Sequence, residues 1–184
     1  MSRIGKIPVA VPNGVKAAFS QGVVSVEGPR GKLEFRPGPG VDVQIENGEI
    51  TVKAGKQGGG NIRADYGTAR ATINNMVHGV STGWKRSLEL VGVGFNADAQ
   101  GQKLTLSVGF SHKVVVEVPK EVKAAVRTTA QKTVIIDLES ADRQLLGTIA
   151  QKIRKVQPPE PYLGKGIKYS DESIRRKAGK TGKK

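Results

Sequence analysis

Apolar and polar residues alternate along the first part of the chain, a pattern typical of β-strands with one buried face. The alternating segments are separated by glycine, proline and asparagine, which are the residues that turns use. Strands are predicted over residues 8–12, 15–20, 23–27, 32–36, 41–46 and 50–52. Asn47-Gly48, between the last two segments, predicts a two-residue hairpin turn.

The period of the apolar residues changes after Gly60, and the new spacing is that of a helix. Six residues fall on one helical face and predict a single amphipathic helix: Ile62, Tyr66, Ala69, Ile73, Met76 and Val77. Gly79 is the predicted end of this helix, because glycine commonly follows the last helical turn.

The second half of the chain repeats this order of elements. Further strands are predicted over residues 104–108, 114–118, 122–126 and 134–136. Ser140 or Asp142 can cap a second helix, whose apolar face is Leu145, Leu146, Ile149, Ile153 and Val156.

The two halves match each other at an offset of about eighty residues, which indicates an internal duplication. Arg63-x-x-x-Gly67-Thr68 falls on Arg143-x-x-x-Gly147-Thr148 at the start of each helix. The predicted fold class is α+β, with two similar domains, each made of small antiparallel sheets packed on one helix. We expect one copy over residues 1–81, a second over 82–157, and a basic Pro/Gly/Lys-rich C-terminal tail over 158–184.

Positive charge is concentrated at the C-terminal end. The 184 residues include thirty Lys and Arg against sixteen Asp and Glu, a net charge of +14. Eleven of these cations and only three of the acids lie in residues 152–184. Nucleic acid is the partner this pattern favours, because each cation that pairs with a phosphate releases a condensed counterion. A solvated tail that only aids solubility is the alternative.

Composition argues against catalysis and against a bound cofactor. The chain has no cysteine and only two histidines, His78 and His112, with no ligand spacing around them. Gly55-Lys56-Gln57-Gly58-Gly59-Gly60 lacks the ending of a phosphate-binding loop and is interpreted as a connector. We therefore predict no catalytic residue, no metal, no cofactor and no small-molecule substrate. Aromatic residues are 4% and mostly isolated, so no base-stacking platform is evident.

Membrane insertion is not expected either. No apolar run approaches the roughly 18 residues that a membrane helix requires. The first six residues, Met1-Ser2-Arg3-Ile4-Gly5-Lys6, have no apolar signal region, so a cytoplasmic protein is expected.

Several segments resemble the family of ribosomal protein six of the bacterial large subunit. The central segment is Pro159-Glu160-Pro161-Tyr162-Leu163-Gly164-Lys165-Gly166-Ile167. The others, in the family's order, are residues 1–6, Gly28-Pro29-Arg30-Gly31-Lys32-Leu33, Asn75-Met76-Val77-His78-Gly79-Val80, Gly92-Val93-Gly94-Phe95 and Gly109-Phe110-Ser111-His112. Two positions depart from the family: Leu163 stands where a lysine is common, and Lys113 where a proline is common.

The resemblance implies a structural constituent of the large ribosomal subunit, with two similar domains. It implies binding to 23S ribosomal RNA near the stalk base and the elongation-factor site, beside neighbouring ribosomal proteins of the stalk base. An RNA-processing enzyme and an architectural nucleic-acid binder remain as alternatives. An enzyme would need a carboxylate cluster, whereas the acids here are scattered among cations.

The candidate RNA-binding residues lie mostly in the second helix and the tail. They are Lys152, Arg154, Lys155, Tyr162, Gly164, Lys165, Gly166, Lys168, Tyr169, Arg175, Arg176, Lys177 and Lys180, together with His112 and Lys113. Gly164 and Gly166 would let the backbone approach phosphates, or would simply form a flexible turn. Tyr162 and Tyr169 would stack on a sugar or base, or pack under the tail. The tail itself is expected to become ordered only on RNA.

Overall fold

The fold is known from a computed structural model, which describes residues 5–46, 48–54, 62–129 and 133–179. Four predicted features lie outside the described residues: residues 1–4 of the N-terminal segment, Asn47 of the hairpin, the glycine-rich connector 55–60, and Lys180. The strands are β1 (Val9–Ala10), β2 (Lys16–Ser20), β3 (Val23–Gly28), β4 (Gly31–Phe35), β5 (Val41–Glu46), β6 (Glu49–Ala54), β7 (Trp84–Val91), β8 (Asn96–Gln100), β9 (Lys103–Ser107), β10 (Val114–Glu117), β11 (Val122–Thr128), β12 (Val134–Ser140) and β13 (Gly166–Tyr169). The helices are α1 (Ile62–Ser81) and α2 (Arg143–Val156).

The first copy contains two three-stranded sheets and α1. One sheet has the order β2-β3-β4 and the other β1-β6-β5, and both are antiparallel. Their apolar faces and the apolar face of α1 form one core, in which Val24, Ile50 and Ile73 are fully buried. The apolar residues that produce the alternation of the strands and the helical period of α1 therefore pack together in a single core.

The second copy repeats this topology. Strands β8, β9 and β10 form an antiparallel sheet like that of β2, β3 and β4. The other sheet has the order β11-β12-β7-β13, in which β7, β12 and β11 correspond to β1, β6 and β5. The α+β class and the internal duplication are thus confirmed. Strand β13 has no counterpart among the described strands of the first copy.

The chain folds into two compact units. Unit 1 contains Met1–Trp84 and Ala141–Arg143, and unit 2 contains Lys85–Ser140 and Gln144–Lys184. Within unit 2, the fully buried side chains include Leu88, Ile136 and Ile153. The division into a first copy over residues 1–81, a second over 82–157 and a tail over 158–184 stays a prediction.

The structure contains three strands that were not predicted, β7, β8 and β13, and its first helix ends later than predicted. Strands β7 and β8 were not predicted; Lys85 and Arg86 interrupt the alternation of β7, and β8 has only weakly apolar residues. Helix α1 does not end at Gly79 but continues to Ser81. The chain leaves the helix through Gly83, which has φ = 84° and donates its N–H to the His78 carbonyl. A positive φ after the last turn is what glycine provides there.

Candidate nucleic-acid interface

The segment that carries the family resemblance is a closed loop in unit 2. Two backbone hydrogen bonds tie its sides together: Glu160 N–H to the Lys165 carbonyl at 2.9 Å, and Ile167 N–H to the Gln157 carbonyl at 2.7 Å. Tyr162 and Leu163 stand exposed at its tip. The loop therefore presents its tip and Lys165 to the surface while its ends are held by the fold.

Gly166 has an internal role in this loop. Its φ is +137°, and a Cβ placed there would lie 2.6 Å from the Pro158 carbonyl oxygen and 2.7 Å from the α-carbon of Pro159. Only a residue without a side chain fits against that backbone. Gly166 is buried and closes the loop, and its predicted part in phosphate contact stays a prediction. Gly164 has φ = +75°, and the Arg176 guanidinium lies beside it.

The loop leads into strand β13, which completes the second sheet. Ile167 pairs with Leu90 and is fully buried. On the opposite face, Lys168 pairs with Glu89, and its Nζ lies 2.8 Å from the carboxylate. The segment predicted as a tail with little to bury is therefore part of the core of unit 2 at this strand. Lys168 forms an ion pair with Glu89, which is distant in sequence and could not be identified from the sequence alone.

Tyr169 packs against other residues of the protein. The Arg86 guanidinium lies 4.6 Å from the centre of its ring, and that of Arg154 lies 5.7 Å away. Arg154 also donates two hydrogen bonds to the Glu172 carboxylate, and the Tyr169 N–H donates a third at 3.2 Å. Two cations over one ring stabilise the end of the chain by cation–π contact.

The Glu172 carboxyl responds to this environment. Hydrogen bonds from Arg154 hold its pKa below the ordinary value; partial burial opposes the shift, and the Tyr169 N–H and the charges of Arg154 and Lys168 reinforce it. Glu172 is thus ionised at neutral pH and neutralises Arg154, which was a candidate for binding RNA.

Six of the predicted cations in α2 and the C-terminal segment remain exposed. They are Lys152, Lys155, Lys165, Arg175, Arg176 and Lys177. Among the residues that the structure describes, none of the six forms an ion pair. The N–H of Lys177 donates to the Pro161 carbonyl at 2.8 Å, so the chain end runs back beside the loop. We call these six residues the cationic surface.

His112 and Lys113 belong to a different part of unit 2, the connection between β9 and β10. Both are exposed. The His112 ring stacks on Phe110, with the ring centres 5.8 Å apart and the planes at 18°. Sequence analysis did not single out Phe110 because isolated aromatics give no periodic signal.

The described residues hold no cluster of three or more metal-ligating side chains. Their helices include none that is long and apolar enough to cross a membrane.

A duplicated α+β fold that exposes a concentrated set of cations is typical of a basic structural protein. The family model for ribosomal protein L6 matches residues 11–83 and 91–170, one match in each copy. The chain belongs to the ribosomal protein L6 family.

Curated relatives agree over the whole length. "Large ribosomal subunit protein uL6" of Porphyromonas gingivalis is 48% identical over 181 residues, covering 98% of both chains. The proteins of the same name from Pelobacter propionicus and Flavobacterium psychrophilum are 46% and 48% identical, over 100% and at least 98% of each chain.

Family membership confirms the resemblance seen in the sequence. The chain is a structural protein of the large ribosomal subunit, in a family without enzymatic activity, and its place is the cytoplasmic ribosome. Its partners are ribosomal RNA and other ribosomal proteins. The RNA-processing alternative is therefore set aside.

Proposed function

We propose that this protein binds 23S ribosomal RNA near the stalk base and the elongation-factor site through its cationic surface, beside the ribosomal proteins of the stalk base. The observation that carries the proposal is that these six cations are exposed and make no ion pair within the described residues. Cations without an acidic neighbour gain most from phosphate, because no existing pair has to be broken.

The structure refines the set of residues proposed to touch RNA. Arg154 and Lys168 keep their carboxylate partners, and they support the surface by fixing α2 and β13 to the chain end and to β7. Lys165 projects from the closed loop, so it meets a phosphate with little ordering cost. Lys180 stays a proposed contact on sequence grounds alone.

The second copy and the C-terminal segment are proposed to carry most of the binding. Residues 1–81 hold ten basic and six acidic side chains, whereas residues 152–184 hold eleven and three. The division into 1–81, 82–157 and 158–184 is part of this proposal, with the first copy serving mainly as scaffold.

Filter binding of the full-length protein to a large-subunit rRNA transcript at several salt concentrations tests this. Replacing all six cations of the cationic surface by glutamine should weaken binding strongly and reduce the salt slope by about four to five. Each single change, such as Lys165→Gln, should reduce it by about one. The matched control is Lys16→Gln with Lys53→Gln, two exposed cations of unit 1. If the variant that lacks the six cations and the control variant have the same salt slope, the proposal is refuted.

The position on the ribosome needs a separate experiment. Because the chain has no cysteine, Lys165→Cys creates a single attachment point for an iron chelate that cleaves nearby RNA. In assembled large subunits, cleavage should occur at the stalk base. Cleavage only elsewhere would contradict the location while leaving RNA binding intact.

A further inference from the structure

Two loops of unit 2 meet at one end of the β8-β9-β10 sheet. Asn96 pairs with Ser107, so the loop that enters β8 and the loop that leaves β9 emerge at the same end. The Phe95 ring joins them: a Cβ on Gly92 would lie 2.9 Å from it, and a Cβ on Gly109 would lie 3.4 Å from it. The two glycines therefore allow both loops to close on one aromatic ring. We call residues 91–96 and 108–113 the loop platform.

The loop platform exposes large apolar side chains. Val93 is 96% exposed and Phe110 is 45% exposed. The His112 ring lies nearly parallel to that of Phe110, with the ring centres 5.8 Å apart. Exposed apolar side chains that form a contiguous patch mark an interaction site.

The charge of the loop platform indicates what its partner is. Its residues include no Asp or Glu, and Lys113 stands exposed at the end of the second loop. A partner that offers a flat apolar face and a negative charge together matches this surface. A nucleotide does so, because its base stacks on aromatic rings while its phosphate pairs with a cation.

We propose that the loop platform binds an unpaired nucleotide of ribosomal RNA, with the base stacked on Phe110 and the phosphate at Lys113. This inference rests on the proposed function, and it adds a contact of different chemistry. The cationic surface uses side chains that hold phosphates, and Tyr169 beside it is already covered by two arginines. The loop platform therefore offers a stacking site separate from Tyr162, which is exposed at the tip of the closed loop.

The test compares Phe110→Ala with Phe110→Tyr, which keeps the ring, in the full-length protein. With the large-subunit rRNA transcript as probe, Phe110→Ala should bind about tenfold more weakly, and Phe110→Tyr should bind like the parent. The salt slope of Phe110→Ala should stay unchanged because no cation is lost, whereas Lys113→Gln should lower it by about one. Thermal unfolding of each variant checks that the fold is intact.

The possible failures can be told apart. If Phe110→Ala binds with the parent's affinity while loss of the cationic surface still weakens binding, the loop platform is refuted and the proposed function stands. If the parent protein does not bind the transcript, the loop-platform proposal and the proposed function are both refuted. If Phe110→Ala binds RNA normally but enters large subunits poorly, a neighbouring protein covers the loop platform, and stacking on RNA is refuted.

Discussion

The carboxylate of Glu172 is expected to hold the end of the chain to α2, and Glu172→Gln tests this. The change keeps the shape of the side chain but removes the charge that accepts two hydrogen bonds from Arg154. The side chains of Glu172 and Arg154 are only 25% and 29% exposed, so water replaces the lost bonds incompletely. Leaving the guanidinium unpaired there should cost about 1–2 kcal/mol.

The effect should depend on pH with a defined sign. The pKa of Glu172 is lowered in the folded state, chiefly by its hydrogen bonds with Arg154. Its stabilising contribution is therefore complete above the unfolded-state pKa of about 4.3 and is lost as the pH falls through the folded-state value. The parent and Glu172→Gln should differ fully at pH 7 and converge as the pH falls below about 4.

Urea unfolding followed by circular dichroism, at pH 7 and at a pH below about 4, measures the free energy of unfolding. Asp171→Asn is the matched control, because Asp171 lies one residue earlier and pairs with Arg86 but is 68% exposed. An exposed pair of this kind contributes about 0.5 kcal/mol or less. Equal losses in the two variants, or a difference for Glu172→Gln that does not change with pH, would refute the reasoning.

Two further predictions concern glycines, and thermal unfolding measures both. Gly79→Ala should destabilise unit 1 because the new methyl overlaps the Ala141 carbonyl oxygen, whereas Gly147→Ala in α2 meets open space and should stabilise by about 0.5–1 kcal/mol. Gly166→Ala should lower the unfolding temperature more than Gly101→Ala, since both have positive φ but only Gly166 has backbone within 3 Å. These expectations would be contradicted if Gly79→Ala and Gly147→Ala changed stability in the same direction. They would also be contradicted if Gly166→Ala and Gly101→Ala lowered the unfolding temperature equally.

Local patterns in the sequence predicted most of the elements. Period-two alternation predicted β2 to β6, β9 and β11, short apolar runs predicted β10 and β12, and the helical period predicted both helices. These patterns arise because burial of one face constrains residues that are close in sequence. The Arg/Gly-Thr spacing shared by the two helices revealed the duplication, and the segment at residues 159–167 revealed the family. Strand β13 was missed, since four residues after a Pro/Gly-rich loop give too short a pattern.

Which cations pair with an acid within the protein was decided only by the tertiary structure. Lys152, Arg154 and Lys155 are near neighbours on α2 and look equivalent in sequence, yet only Arg154 reaches Glu172. Lys168 is removed from the candidate surface by the register of β13 against β7, which places it opposite Glu89. Sequence determined how much positive charge the C-terminal segment carries; long-range pairing determined which of it is left exposed, because an ion pair depends on distance in space and not along the chain.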